Sequence, residues 1–166
     1  GIRTNDWKAQ WISASETPVP TYFRKAENLS GNIRKATAYI TSHGIYEAFV
    51  NGKRVGNYEL TPGWTTYLKR LQYQAYDVTS LLQKGKNMIA ATVSPGWYSG
   101  GMNTGDPKNR YKYGKDVSLL MQINIEYADD TKACILTDGE WECCVPAEEE
   151  TSKAGGITFA NIYDGE

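Results

Sequence analysis

The sequence predicts an all-β fold of two facing antiparallel sheets, and three observations predict it. Twelve Tyr, five Trp and sixteen Gly stand against three Phe and three Met in 166 residues. Aromatic side chains suit pleated surfaces and glycine suits tight reversals, so this mixture favours strands joined by turns. Apolar and polar residues alternate over 117–127, with Val117, Leu119, Met121, Ile123, Ile125 and Tyr127 on one parity. A period of two marks a strand with one buried face. Asn51-Gly52 separates two strand-like runs, and that dipeptide supplies the two positive-φ residues of a type I′ hairpin turn.

Taken in chain order, 22–26 and 33–41 are strands, and 45–50 with 53–56 form the hairpin around Asn51-Gly52. Leu71, Tyr73 and Ala75 alternate with Gln72 and Gln74 in a further strand. Asp77 as N-cap and Gly85 as helix stop leave room for about one helical turn between them. Residues 86–93 are apolar on both faces, the pattern of a central strand covered on both sides. Asp129-Asp130 turns 117–127 back into the run 131–137, and 157–162 adds a tail strand. About eight strands without a long helix make the count of a jelly-roll β-sandwich. The segments 13–20 and 146–156 read as surface connections, so 1–166 is a single domain with 1–20 as its N-terminal lead-in.

Charge and composition exclude several functions. Lys+Arg 18 against Asp+Glu 19 gives a net charge of −1. Lys108, Arg110, Lys112 and Lys115 interleave with Tyr111 and Tyr113 as in single-strand binders, but without excess positive charge no nucleic-acid partner is expected. No apolar run approaches the roughly 20 residues of a membrane span. An opening at Gly1, with neither Met nor an apolar signal core, reads as a processed or excised piece. Cys134, Cys143 and Cys144 are odd in number and lack CxxC spacing, so they read as buried or free thiols, with a Cys134 bridge as the alternative.

Catalysis finds no constellation. His43 is the sole histidine, no Gly-x-Ser-x-Gly elbow occurs, and Glu148, Glu149 and Glu150 form a solvated run. Sugar binding has better candidates, because pyranose C–H faces stack on aromatic rings while hydroxyls need polar partners. Trp64 sits in a Thr-Pro-Gly-Trp-Thr-Thr loop, and Trp97-Tyr98 opens a Gly-rich excursion, 96–114; long loops of this kind often carry function. Asn51 and Asn103 are the candidate hydroxyl partners. Rim packing is the structural alternative for Trp64 and Trp97, and the turn alone accounts for Asn51. Asn103, Asp106 and Asn109 offer hard oxygens of the kind calcium takes, although calcium wants about 6 to 8 of them and no spaced acidic loop is present. Trp7, Trp11 and Trp141 read as packing residues.

Residues 46–56, 77–82 and 85–90 resemble the galactose-binding-like jelly-roll domains that precede many glycosidase catalytic domains. Trp7-Lys8-Ala9-Gln10-Trp11-Ile12, Tyr22-Phe23-Arg24-Lys25, Leu60-Thr61-Pro62-Gly63-Trp64-Thr65-Thr66-Tyr67, Gly96-Trp97-Tyr98-Ser99-Gly100 and Tyr163-Asp164-Gly165-Glu166 sharpen the match. In this order they are similar to the amino-terminal β-sandwich of bacterial α-L-rhamnosidases. The resemblance implies a non-catalytic accessory domain that packs against and shapes an (α/α)₆ catalytic barrel. The parent chain would cleave terminal α-L-rhamnose with inversion, in a secreted or periplasmic setting. The alternative it implies is a carbohydrate-binding module for L-rhamnose or rhamnosylated glycans, assisted by calcium. Sugar-binding members carry acidic residues at their ion site, whereas here Val50 precedes Asn51.

Overall fold

The computed structural model describes residues 2–14, 19–100 and 111–145. Its strands are β1 (Ile12–Ser13), β2 (Thr21–Leu29), β3 (Ile33–His43), β4 (Ile45–Val50), β5 (Lys53–Arg54), β6 (Gln74–Asp77), β7 (Gly85–Ser94), β8 (Ser118–Tyr127), β9 (Lys132–Leu136) and β10 (Glu142–Cys144). They form two five-stranded antiparallel sheets. One runs β1-β8-β3-β6 with β9 also paired to β8, and the other runs β10-β2-β7-β4-β5. The expected β-sandwich is therefore present. Two strands that the sequence does not announce appear among the described residues, β1 and β10, which at two and three residues are too short to impose a period.

The Asn-Gly hairpin forms as read: Val50 pairs with Lys53, and Asn51 and Gly52 take φ of 51° and 76°. The β8–β9 hairpin pairs Gln122 with Leu136 through Glu126 with Lys132. Inward-facing Ala38 and Ile40 of β3 and Met121, Ile123 and Ile125 of β8 meet Ile89, Ala91 and Val93 of β7 and Ala48 and Val50 of β4 in one buried core. Each Ile or Val withdrawn there contributes roughly 1.5 to 3 kcal/mol of hydrophobic stabilisation.

Several expectations need correction. On β8 the alternation reports the inner face, but Leu120 and Gln122 on the other parity are buried as well. The lead-in lies across them: Lys8 N–H donates to Gln122 Oε1 at 2.8 Å, and Gln122 Nε2 donates to the Asp6 carbonyl. β7 is central between β2 and β4, yet it is covered on one side only, with Lys86 exposed and Met88 42% exposed. Apolar side chains are common on open surfaces, so the composition of 86–93 overstated its burial. β6 begins at Gln74. Tyr73 instead joins Trp7 and Tyr39 in an edge-to-face cluster, with ring centroids 5.8 to 6.4 Å apart, that fastens the lead-in to the sheet.

The expected helical turn is a 3₁₀ turn, Thr79–Leu81, opened by the Thr79 N–H donating to Asp77 Oδ1 at 2.9 Å. All three cysteines are free and exposed, not buried. Trp141 is buried, its Nε1 donating to the Leu136 carbonyl. The tail strand at 157–162 falls outside the described residues, and no described helix is long and apolar enough to cross a membrane.

Candidate functional site

The sandwich has two ends, and the candidate residues divide between them. β4 starts at Ile45 beside Ser94 and finishes at Val50 beside Ile89. Its length separates the ends by roughly 17 to 20 Å, from the strand rise per residue. Asn51 follows Val50 at one end. Trp97 and Tyr98 lie beyond the far end of β7, in the short helix α1 (Gly96–Ser99). They do not form a common site with Asn51.

At its own end Asn51 is a junction. Its N–H donates to the Met88 carbonyl at 2.8 Å, and its Oδ1 accepts from the Met88 N–H at 2.9 Å. Its Nδ2 donates to the Leu81 carbonyl at 2.8 Å and to Asn87 Oδ1 at 2.9 Å. Both amide hydrogens and the carbonyl are thus engaged, which ties the hairpin to β7 and to the 3₁₀ turn.

The opposite end is built on stacked rings. The His43 imidazole lies between Trp11, 4.2 Å away at 18°, and Tyr98, 4.4 Å away at 4°. Asp116 closes the group: its Oδ2 is 3.2 Å from His43 Nδ1, and its Oδ1 accepts from the Tyr98 hydroxyl at 3.3 Å. Tyr67 meets the edges of Tyr98 and Tyr113, at 5.5 and 5.0 Å, and donates its hydroxyl to the Gly63 carbonyl at 3.1 Å. Burial, reinforced by the Asp116 charge, pushes the Tyr98 phenol up to about 12; burial and Tyr113 do the same for Tyr67. Both phenols therefore remain protonated donors at neutral pH. Gly96 makes the entry into α1 possible, since at φ +50° a Cβ there would sit 2.6 Å from Ile45.

Trp97 is half-buried beside this cluster, and Trp64 is exposed on the loop 58–73 between β5 and β6. That loop is anchored to β4, with the Tyr46 N–H donating to the Thr61 carbonyl at 2.8 Å and Thr61 Oγ1 donating to the Tyr46 carbonyl at 2.9 Å. Between 58–63 and 73–75 lies an open groove of about 440 Å³. Asn103, Asp106 and Asn109 lie outside the described residues. Among the described residues no three His, Cys, Asp or Glu side chains gather as metal ligands.

In the sequence His43 stands alone, without a catalytic order around it, and Asp116 belongs to no motif. The available signal was positional. His43 ends β3 and pairs in register with Ser118, so any acid shortly before β8 comes close to it. What the arrangement does chemically is hold: an imidazole, a carboxylate and a phenol satisfy one another.

The family model described as "Alpha-L-rhamnosidase N-terminal domain" matches residues 31–166. An α-L-rhamnosidase of Alteromonas sp. is 34% identical over 173 residues, covering 97% of this chain and 18% of that protein. The crystal structure of the native alfa-L-rhamnosidase from Aspergillus terreus superposes with a TM-score of 0.80 at 34% identity, over 87% of this chain and 17% of that one. The Streptomyces avermitilis α-L-rhamnosidase complexed with L-rhamnose gives a TM-score of 0.72 at 41% identity, over 76% and 12%. The chain thus spans less than a fifth of each relative.

Proposed function

Since the chain belongs to the α-L-rhamnosidase N-terminal domain family, we propose that it is the non-catalytic accessory domain of a glycoside hydrolase that removes terminal α-L-rhamnose. In this reading it packs against the catalytic barrel and shapes the approach to its active site. Inverting hydrolysis needs a carboxylic acid to protonate the leaving oxygen and a carboxylate to activate water, placed about 6.5 to 9.5 Å apart. The rest of the parent chain supplies both.

The observation that carries this reading is that the Asp116 carboxylate at one end of the sandwich and the Asn51 amide at the other are engaged inside the domain. Asp116 serves His43 and Tyr98, and the Asn51 amide serves Leu81, Asn87 and Met88. Each Asp116 oxygen has a partner within the domain, so this acid orders the segment that leads into β8. The 166-residue chain incubated with an aryl α-L-rhamnoside is expected to release no aglycone above the buffer rate, while the parent enzyme hydrolyses it. Turnover by the chain alone would overturn the reading.

A second reading rests on the exposed Trp64 indole, a surface on which the C–H face of a sugar ring can stack. The domain is then a binding module for rhamnose-containing glycans. Trp64, Trp97, Tyr98 and Asn103 contact the sugar, and the oxygens of Asn103, Asp106 and Asn109 hold calcium. A relative has been crystallised with L-rhamnose. Rhamnose would then shift the tryptophan emission with a Kd of roughly 10 μM to 1 mM, since a monosaccharide has few atoms with which to bind. No shift at about 10 mM rhamnose, with or without calcium, retires this reading.

A further inference from the structure

Large apolar side chains are displayed together on the loop 58–73: Tyr58 is 62% exposed, Leu60 48%, Trp64 55% and Leu68 76%. The display is ordered. Gly63 N–H donates to the Leu60 carbonyl at 3.0 Å, Lys69 and Arg70 N–H both donate to the Thr66 carbonyl, and the Tyr46–Thr61 pair holds the loop to β4. An isolated domain gains nothing from holding such groups in water, and a concentration of them on one surface marks an interaction site.

The polar chemistry of the adjoining groove decides what kind of partner fits. Gln74 accepts from the Tyr46 hydroxyl at 2.9 Å through Oε1 and donates to the Pro62 carbonyl at 3.2 Å through Nε2. Glu59 Oε1 accepts from Arg54 Nη1 at 2.9 Å. A polyol must exchange its water hydrogen bonds for directed ones from its site. Here the Gln74 amide and Glu59 Oε1 are already engaged inside the domain, and the exposed Leu60, Trp64 and Leu68 offer no acceptor. An apolar protein face suits the loop better. Polypeptide to supply it exists in the relatives, of whose length this chain spans 12% to 18%.

We propose that the loop 58–73 is the docking surface by which this domain seats on an apolar face of the remainder of the parent polypeptide, with Trp64 and Leu68 as the inserted side chains. This rests on the accessory-domain reading and specifies which surface performs it. Because the loop is pre-ordered, little conformational entropy is lost on docking.

The test compares backbone hydrogen exchange in the intact parent enzyme and in the 166-residue chain. Amides of 58–70 should exchange at least about tenfold more slowly in the parent, as expected where burial suppresses local opening. The double variant Trp64→Glu/Leu68→Glu should leave the melting midpoint of the chain alone unchanged, because both side chains face water there. In the parent it should abolish the protection and split a single unfolding transition into two. Protection confined to other residues of the domain overturns the docking surface and leaves the accessory role standing. No protection anywhere in 2–145 overturns both. Slowing of 58–70 in the chain alone on adding rhamnose assigns the loop to a glycan and overturns the proposal.

Discussion

At Gly52 an added Cβ would meet nothing within 4 Å, yet φ is +76°, so a side chain there is opposed by the backbone alone. Gly52→Val is expected to cost roughly 1 to 3 kcal/mol, read as a lower urea midpoint with an unchanged m-value. Equal midpoints would show that the turn does not constrain the hairpin. Asn51→Ala acts by another route, leaving the Met88 N–H and the Leu81 carbonyl without their side-chain partner. About 2 to 3 kcal/mol should be lost, with the response to rhamnose unaltered; a changed response would return Asn51 to the binding candidates. The turn chemistry of these two residues is local and could be read directly. Their partners lie 30 to 37 residues downstream, where no spacing announces them, so the junction formed by Asn51 could not be read.

Between elements, Lys25 of β2 is the clearest electrostatic link. Its Nζ lies 2.8 Å from Asp138, 3.2 Å from Glu27 and 3.2 Å from Glu140, joining β2 to the turn that precedes β10. Burial alone would lower the lysine and raise the aspartate, but their mutual hydrogen bond reverses both, holding Lys25 above and Asp138 below its ordinary value. For Asp138 the stabilisation is present above the usual carboxylate range, about 3.9, and disappears as pH falls through its lower folded value. The Lys25 contribution persists until strongly alkaline pH. Lys25→Met should therefore cost roughly 1 to 3 kcal/mol at neutral pH, a gap that closes in acid. Denaturation of both proteins across that range checks it, and a gap independent of pH would refute the link. Elements themselves were legible where a period reports one face, as on β8 and in the two hairpins. They were not legible where burial comes from a distant segment, as when Asp6 and Lys8 cover Gln122, or where apolar residues such as Met88 face water.

For the molecule as a whole, the motifs identify fold and family because strand alternation and turn residues are written locally along the chain. The ring stack was not written that way, since Trp11, His43, Tyr98 and Asp116 come from four separate segments. Its removal should be felt in all of them. His43→Ala takes the middle ring from the stack, and hydrogen exchange is expected to accelerate at both 9–13 and 96–99; acceleration at one segment alone would show that the stack does not couple them. The same arrangement bears on the order in which the protein assembles as it is made. His43 and Asp116 are 73 residues apart, and β3 finds its main partner only when β8 has been synthesised. At about 5 to 20 residues per second, the nascent β3 edge waits roughly 4 to 15 s. During that interval β4 can pair with β5, and β7 with β2 and β4, whereas this edge of β3 depends on shielding by other factors or on its own polar outer residues, Arg34 and Lys35, to resist pairing with a neighbouring chain.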